Sequence, residues 1–185
     1  MGKKVHLFMM LGHAGSGKSY FARQLADEKG LVRLNGDTLR IDMYGSVKEL
    51  NRYKAFDTSL SKEKIFKAID YAAKQVLSAG CSVIYDANNN KQSVRKQIEE
   101  FVIECGAVPI VVWVQTSVDI AIQRVQDRES TAEQRKWNES QARETIERHI
   151  ANTDEPATDE NVIKIDGTLQ FNDQLASFEE QLGLL

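Results

Sequence analysis

The chain reads Gly12-His13-Ala14-Gly15-Ser16-Gly17-Lys18-Ser19 between an apolar run and an amphipathic segment, and it matches the pattern G-x-x-x-x-G-K-S/T at every position. Its glycines allow the backbone to turn tightly and to bring successive N–H groups against phosphate oxygens, because no Cβ stands in the way. A helix that begins near Gly17 would add unpaired N–H groups and the positive end of its dipole. We therefore predict a nucleotide-binding loop that continues to Tyr20, the alternative being a glycine-rich turn that only joins strand to helix.

Two residues of this loop have specific predicted roles. Lys18 supplies a mobile positive charge for the β- and γ-phosphates, and the hydroxyl of Ser19 is placed to ligate Mg²⁺. The expected ligands are therefore ATP and Mg²⁺. The pattern leaves the position of His13 free, so we expect this residue to belong to the loop without taking part in catalysis.

The bulk composition favours a single α/β domain over residues 1–185. A chain of 185 residues buries about 70% of the surface that its unfolded form exposes. The net charge of −3 arises from well-mixed acids and bases, so no overall field attracts nucleic acid or an anionic membrane. No apolar stretch near the N-terminus is long enough for a signal peptide or a membrane span. A cytoplasmic protein is expected, with its two cysteines, Cys81 and Cys105, packed against the interior.

Five short apolar runs recur along the chain, and each is predicted to be a buried strand. The intervals between them show helical periodicity of apolar residues, which together with the strands predicts a parallel sheet covered by helices. The predicted strands are Val5–Leu11, Leu31–Asn35, Cys81–Asp86, Ala107–Val114 and Asn161–Asp166. The predicted buried face of the helix before the third strand is Ile65, Ile69, Ala72 and Val76.

Two polar stretches, Asp42–Ser61 and Glu129–Pro156, interrupt this alternation. In small kinases such insertions form the cap of the acceptor site and a lid that closes over ATP and excludes water. We predict a lid over residues 129–156. The alternative is one or two solvated surface helices, because Ser130-Thr131-Ala132-Glu133 resembles a capping box.

Ligands of open α/β sheets bind at the carboxyl ends of the strands, so polar residues that follow strands are the next candidates. Ser82-Val83-Ile84-Tyr85-Asp86 is an apolar strand that ends on an acid, and we predict that Asp86 holds Mg²⁺ directly or through water. Asn88 is predicted to orient the acceptor or a water molecule. Ordinary turn chemistry between strand and helix stays open as the alternative for both residues.

A second acid, Asp37, follows the second predicted strand in Asn35-Gly36-Asp37-Thr38-Leu39-Arg40. Its carboxylate can accept a proton from an attacking hydroxyl, and Arg40, one helical turn further on, can hold an anionic acceptor. The alternative is that Asp37 caps the start of a helix and takes no part in catalysis.

Arg124 and Arg128 lie four residues apart at the end of the fourth predicted helix, and therefore on one face where the chain enters the predicted lid. Phosphoryl transfer spreads negative charge over the oxygens of the transferred group, and an arginine that arrives with lid closure stabilises that charge. We predict that Arg124 binds the nucleotide and that Arg128 is catalytic. A solvated basic helix face is the competing explanation.

These elements together resemble the P-loop kinase family that includes polynucleotide 5′-hydroxyl kinases and zeta-toxin-like kinases. The resemblance implies a P-loop NTPase three-layer sandwich, with a five-stranded parallel sheet in the order 2-3-1-4-5, helices on both faces and a helical lid. It also implies that Asp37 deprotonates the acceptor hydroxyl, that Arg40 contacts an acceptor phosphate, and that Arg128 is the lid arginine.

The predicted function is transfer of the γ-phosphate of ATP to a hydroxyl-bearing acceptor. A polynucleotide 5′-hydroxyl and a small molecule such as a nucleoside, sugar or antibiotic are both open as the acceptor. A regulatory ATPase or nucleotide-gated binding module is the alternative from a different class. The predicted partners do not include a membrane, and the oligomeric state is left open.

Overall fold

Apolar runs and amphipathic segments alternate in the computed structural model as the sequence pattern requires. The structure describes residues 4–46, 48, 49, 52, 63–129 and 136–185, and five strands and seven helices lie within them. The strands are β1 (His6–Leu11), β2 (Val32–Asn35), β3 (Val83–Asp86), β4 (Val108–Gln115) and β5 (Val162–Asp166). The helices are α1 (Lys18–Lys29), α2 (Gly36–Tyr44), α3 (Glu63–Ser78), α4 (Gln92–Glu104), α5 (Val118–Asp127), α6 (Glu139–Ala151) and α7 (Phe171–Gly183).

The five strands form one parallel sheet in the order β2-β3-β1-β4-β5, which confirms the predicted fold. Four of the strands begin one or two residues after the predicted start, and β4 is shifted one residue towards the carboxyl end. Asn35 at the end of β2 pairs in register with Asp86 at the end of β3, so the polar residues that follow these strands emerge side by side. β1 lies between β3 and β4, at the centre of the sheet.

Each face of the sheet carries its own core, because successive side chains of a strand point to opposite faces. On β1, Leu7 and Met9 belong to the cluster that includes α3 and α4, whereas Phe8 and Met10 belong to the cluster that includes α1 and α7. An edge-on contact between the rings of Phe8 and Phe178, with centroids 5.3 Å apart, is part of the second cluster. The result is a three-layer sandwich.

Two details of the packing differ from the prediction. The fully buried face of α3 is Ile65, Ile69, Ala73 and Leu77. The first two residues are as predicted, whereas Ala73 and Leu77 take the places predicted for Ala72 and Val76. The buried residues are spaced four apart through the whole helix, whereas the prediction placed a spacing of three between the second and the third. Cys81 is exposed and precedes β3, contrary to the prediction, whereas Cys105 packs against the core at the end of α4.

The polar stretch 129–156 contains one helix that the structure describes, α6. Its N-terminus is closed by a capping box in which Asn138 and Gln141 bond each other's backbone N–H groups. Ala142 and Ile146 bury its inner face against Ala121 and Val125 of α5. The capping box predicted at 130–133, and most of the stretch after α2, lie outside the described residues. None of the helices in the described ranges is long and apolar enough to cross a membrane.

Candidate active site

The loop between β1 and α1 has the backbone conformation that its glycines make possible. Gly12 and Gly15 have φ angles of 147° and 78°, and a Cβ on Gly15 would lie 2.5 Å from the carbonyl oxygen of Ala121. Helix α1 begins at Lys18, with Gly17 as its N-cap and without a side-chain cap. The first N–H groups of α1 are therefore left for a ligand, as an anion-binding helix terminus requires.

The residue that follows β5, Gly167, packs closely against this loop. A Cβ at this position would collide with the carbonyl oxygen of Ser16 and the hydroxyl of Thr116. That hydroxyl donates a hydrogen bond of 2.9 Å to the same carbonyl oxygen of Ser16. The ring nitrogens of His13 lie 2.9 and 3.0 Å from the carbonyl oxygens of Ala14 and Thr116. Contacts from β4 and β5 thus hold the loop in place.

Ser16 itself is fully buried inside the loop. Its Oγ has no hydrogen-bond partner among the described residues. An unpaired hydroxyl beside the uncapped start of α1 suits a site completed by the oxygens of a phosphate.

Ser19 and Asp86 form a pair of oxygen donors at the start of α1 and the end of β3. The Oγ of Ser19 lies 3.4 Å from Oδ1 of Asp86. The other oxygen, Oδ2, accepts hydrogen bonds from Arg33 Nη2 at 2.6 Å and Asn35 Nδ2 at 2.8 Å. Oδ1 is thereby left facing the loop in a residue that is only 3% exposed.

These donors fit Mg²⁺, which prefers hard oxygen ligands and takes one or two from the protein while water and phosphates supply the rest. The part of the chain that the structure describes contains no cluster of three or more His, Cys, Asp or Glu side chains that would form an all-protein cage. A hydroxyl and one carboxylate oxygen beside the phosphate-binding loop match the chemistry of a nucleotide-bound Mg²⁺ ion.

A cleft at the carboxyl ends of β1, β2 and β3 brings six predicted site residues together. After the roles predicted for these residues, we call the loop 12–19, which meets the cleft at Lys18 and Ser19, together with Asp86 the phosphate half, and Asp37, Arg40 and Asn88 the acceptor half. The predicted residues that line this cleft are Lys18, Ser19, Asp37, Arg40, Asp86 and Asn88. Asn35, Ile65, Phe66 and His149 also contribute to its wall.

Asp37 and Arg40 lie one turn apart on α2 and form an ion pair, with Arg40 Nη1 2.8 Å from Asp37 Oδ1. The side chain of Asp37 is 56% exposed and that of Arg40 19%. Asn35 is the N-cap of α2, and its Oδ1 accepts hydrogen bonds from the N–H groups of Asp37 and Thr38. Asn35, and not Asp37, therefore caps the helix, contrary to the alternative explanation for Asp37. The Asp37 carboxylate is left at the cleft.

The asparagines that follow β3 divide into one cleft residue and one structural residue. Asn88 is exposed at the cleft, whereas Asn89 is fully buried and donates hydrogen bonds to the carbonyl oxygens of Met10 and Tyr85. Asn89 thus fixes the loop that carries Asn88 to the carboxyl ends of β1 and β3.

The two arginines predicted to act with a lid, Arg124 and Arg128, have different surroundings. Arg124 reaches the phosphate-binding loop, where its Nη1 lies 3.6 Å from the point that a Cβ on Gly17 would occupy. Arg128 follows α5, and its guanidinium carbon lies 5.5 Å from the ring centroid of Trp137. Burial lowers the pKa of Arg128. Neither side chain is among those of the described residues that line the cleft.

Tyr20, also predicted to bind the nucleotide, lies in the first turn of α1 and is 46% exposed. It is therefore open to a ligand from the solvent side of that turn.

Four residues of the site region were missed by the sequence analysis: Arg33, Arg95, His149 and Gly167. Arg33 carried a signal, since a charge inside an apolar run that predicts a buried strand needs a partner. Arg95 interrupts the apolar face of α4 in the same way, and it is fully buried and paired with Glu160. His149 carried none, because Lys18 and His13, which it faces, are more than a hundred positions away. Gly167 carried none, because its contacts with Ser16 and Thr116 arise only when β4 and β5 pack beside the loop.

This sheet order, with a glycine-rich loop between the first strand and the first helix, defines a P-loop kinase-like domain. Residues 7–152 match the model of the AAA domain family, and the chain belongs to that family. Comparison of the sequence with curated proteins gives no match.

Several solved structures share the fold. A sugar kinase from Janibacter sp. HTCC2649, in unliganded form, is 18% identical with a TM-score of 0.69, over 98% of this chain and 95% of that chain. Kti12 from Chaetomium thermophilum, in complex with ADP-AlF3, is 22% identical with a TM-score of 0.68, over 96% and 97%. A chain of the Pnkp1/Rnl/Hen1 RNA repair complex is 24% identical with a TM-score of 0.64, over 82% of this chain and 45% of that chain. At these identities the similarity establishes the fold.

Proposed function

We propose that this protein transfers the γ-phosphoryl group of ATP to a hydroxyl group of an acceptor. The proposal rests above all on one observation: a half-exposed carboxylate, Asp37, lines the same cleft as Lys18 and Ser19 of the phosphate-binding loop. A site that only bound nucleotide would not need an acid and an arginine on the side away from the loop.

In the proposed reaction, Asp37 accepts the proton of the acceptor hydroxyl. The hydroxyl oxygen forms a bond to the γ-phosphorus, the bond from that phosphorus to the β–γ bridging oxygen breaks, and ADP leaves with the electron pair. Lys18 and Arg124 neutralise charge on the phosphates, and Arg40 and Asn88 hold the acceptor. Positioning and electrostatic stabilisation supply most of the acceleration in reactions of this kind.

Ser19 and Asp86 would hold Mg²⁺, which when bound adds positive charge next to the phosphate oxygens. We also propose that Arg128 reaches the transferred group when residues 129–156 close as a lid. The lining of the acceptor half by an arginine and an amide favours a polar acceptor that carries an anionic group beside its hydroxyl, which a polynucleotide end or a phosphorylated small molecule would satisfy.

The decisive experiment uses the variant Asp37→Asn with Asp42→Asn as its control on the same helix. Radiolabelled ATP is incubated with a panel of acceptors: a 5′-hydroxyl oligonucleotide, nucleosides, sugars and an aminoglycoside. We expect Asp37→Asn to keep its nucleotide affinity by calorimetry and to lose transfer by about 10²- to 10⁴-fold, the usual contribution of a general base. Asp42 is exposed and does not line the cleft, so Asp42→Asn should behave as the wild type.

Full transfer activity in Asp37→Asn would remove this residue from the mechanism. If a partner protein stimulated the release of phosphate and no acceptor were phosphorylated, the protein would be a regulatory ATPase and not a kinase.

A further inference from the structure

His149, near the end of α6, faces the cleft with an unpaired ring nitrogen. It lines the cleft together with Lys18, and its Nε2 is buried with no hydrogen-bond partner among the described residues. A buried polar atom without a partner costs free energy, and in a native structure it calls for an explanation such as a missing ligand.

The imidazole of His149 is held in its neutral form. Burial, together with the nearby charge of Lys18 and the proximity of His13, lowers its pKa to about 4. A neutral imidazole has one N–H donor and one acceptor nitrogen, and the donor can be at Nε2. Lys18 and His13 are both residues of the phosphate-binding loop, so this ring lies at the phosphate half of the cleft.

The helix that carries His149 is fixed at its carboxyl end. The Thr153 hydroxyl donates a 2.7 Å hydrogen bond to the His149 carbonyl oxygen, and the N–H of Asp154 donates one of 2.8 Å to the carbonyl oxygen of Asn90. Arg95, which has no exposed surface, donates to the carbonyl oxygen of Asp154 at 3.1 Å and to both carboxylate oxygens of Glu160. These contacts join the end of α6 to the loop after β3.

We propose that Nε2–H of His149 donates a hydrogen bond to a γ-phosphoryl oxygen of bound ATP, and that the contacts of Arg95 position it to do so. This inference rests on the proposed function, because it presumes that the loop holds a triphosphate. Lys18 serves both the β- and the γ-phosphate, and we assign the contact to the γ-phosphate because in the proposed reaction that group faces the cleft that His149 lines. The hydrogen bond would raise the affinity for ATP and not that for ADP, which has no γ-phosphate.

The experiment compares equilibrium affinities for ADP and for a non-hydrolysable ATP analogue, both with Mg²⁺, by calorimetry. A hydrogen bond to a charged group leads us to expect that His149→Ala weakens analogue binding about tenfold and leaves ADP binding within about twofold. His149→Gln, whose amide can donate from a similar position, should recover part of that loss. Arg148→Ala, an exposed neighbour on the same helix, should bind both nucleotides as the wild type does.

His149→Leu fills the same space without a donor, so it replaces His149→Ala if the alanine variant does not fold. Equal losses for both nucleotides, or no loss for either, would overturn the contact with the γ-phosphate. A raised KM for the acceptor with unchanged nucleotide affinities would also overturn the contact with the γ-phosphate. It would show that His149 contacts the acceptor instead. Failure of the wild type to bind either nucleotide would instead contradict the proposed function.

Discussion

The phosphate half and the acceptor half of the cleft are built in different ways. In the phosphate half, main-chain groups line the predicted phosphate site. The space that a side chain would need is occupied at Gly15 by the backbone of Ala121 in α5 and at Gly167 by the carbonyl oxygen of Ser16 and the hydroxyl of Thr116. In the acceptor half, side chains face the cleft: those of Asp37 and Arg40 extend from α2, and that of Asn88 from the loop after β3. Asp86 is 3% exposed, whereas the side chain of Asp37 is 56% exposed.

This difference shows how one fold can serve several acceptors. Main-chain N–H groups recognise a phosphate that every nucleotide carries, and changing them requires a change in backbone path. Exposed side chains on a helix can be replaced with little cost to the fold. Under the proposed function, the phosphate half therefore accounts for the class of the protein, and the acceptor half is where its specificity is set.

The largest expected effect is at Arg95, because this residue of a fully buried ion pair also bonds the loop after β3, which carries Asn88 to the acceptor half. Arg95→Met leaves the carboxylate of Glu160 buried without its partner, and we expect a loss of about 3–5 kcal/mol in the free energy of unfolding. The double variant Arg95→Met/Glu160→Met should recover much of this loss. Urea-induced unfolding of both variants measures the two values.

Lys96→Met is the matched control, because Lys96 and Asp159 form an exposed pair 3.9 Å apart on the same two segments. We expect it to cost no more than about 1 kcal/mol. If Arg95→Met were equally mild, the loop after β3 would not depend on this anchor.

The rigidity of the phosphate half can be broken at Gly167. A methyl group there would collide with the carbonyl oxygen of Ser16 and the hydroxyl of Thr116, so the loop has to shift. We expect Gly167→Ala to lower the free energy of unfolding by about 1–3 kcal/mol and to weaken ATP binding. Denaturant unfolding and calorimetry measure the two effects.

Gly183→Ala serves as the control for this substitution, since open space surrounds a Cβ at the end of α7. Unchanged ATP affinity in Gly167→Ala would show that the loop adapts, and the contrast between the two halves would be lost.

The smallest expected effects separate the two arginines. Arg124 lies against the phosphate-binding loop and Arg40 beside Asp37, so each should report on one half of the cleft. We expect Arg124→Ala to raise the KM for ATP about tenfold and Arg40→Ala to raise the KM for the acceptor by a similar factor. Steady-state kinetics with each substrate varied in turn measures both constants.

A change in both KM values for either variant would mean that the two halves are coupled. That result would place one of these arginines between the two substrates.

Local sequence patterns were sufficient to predict most of the fold. The loop at residues 12–19 and the apolar runs predicted the strand–loop–helix unit and the parallel sheet, because glycine conformation and side-chain periodicity act over a few residues. The sheet order came from the resemblance to P-loop kinases. The structure confirms that order and corrects the buried face of α3, where Ala73 and Leu77 replace Ala72 and Val76.

The candidate site was predictable where its residues follow strands. Asp37 and Asp86 could be predicted because parallel strands bring their carboxyl ends to one edge of the sheet. The partners of Asp86 could not be predicted in this way. Arg33 and Asn35 bond its carboxylate across more than fifty residues of sequence, and only the register of β2 against β3 places them there.

The sequence by itself thus determined that a helix N-terminus and free backbone N–H groups follow the first strand, because these features depend on neighbouring residues alone. The tertiary structure decided which distant groups complete the site: Gly167 against the loop, Arg95 beneath the segment after α6, and His149 beside Lys18. Such contacts depend on how helices and strands far apart in the chain pack, and no local pattern encodes those distances.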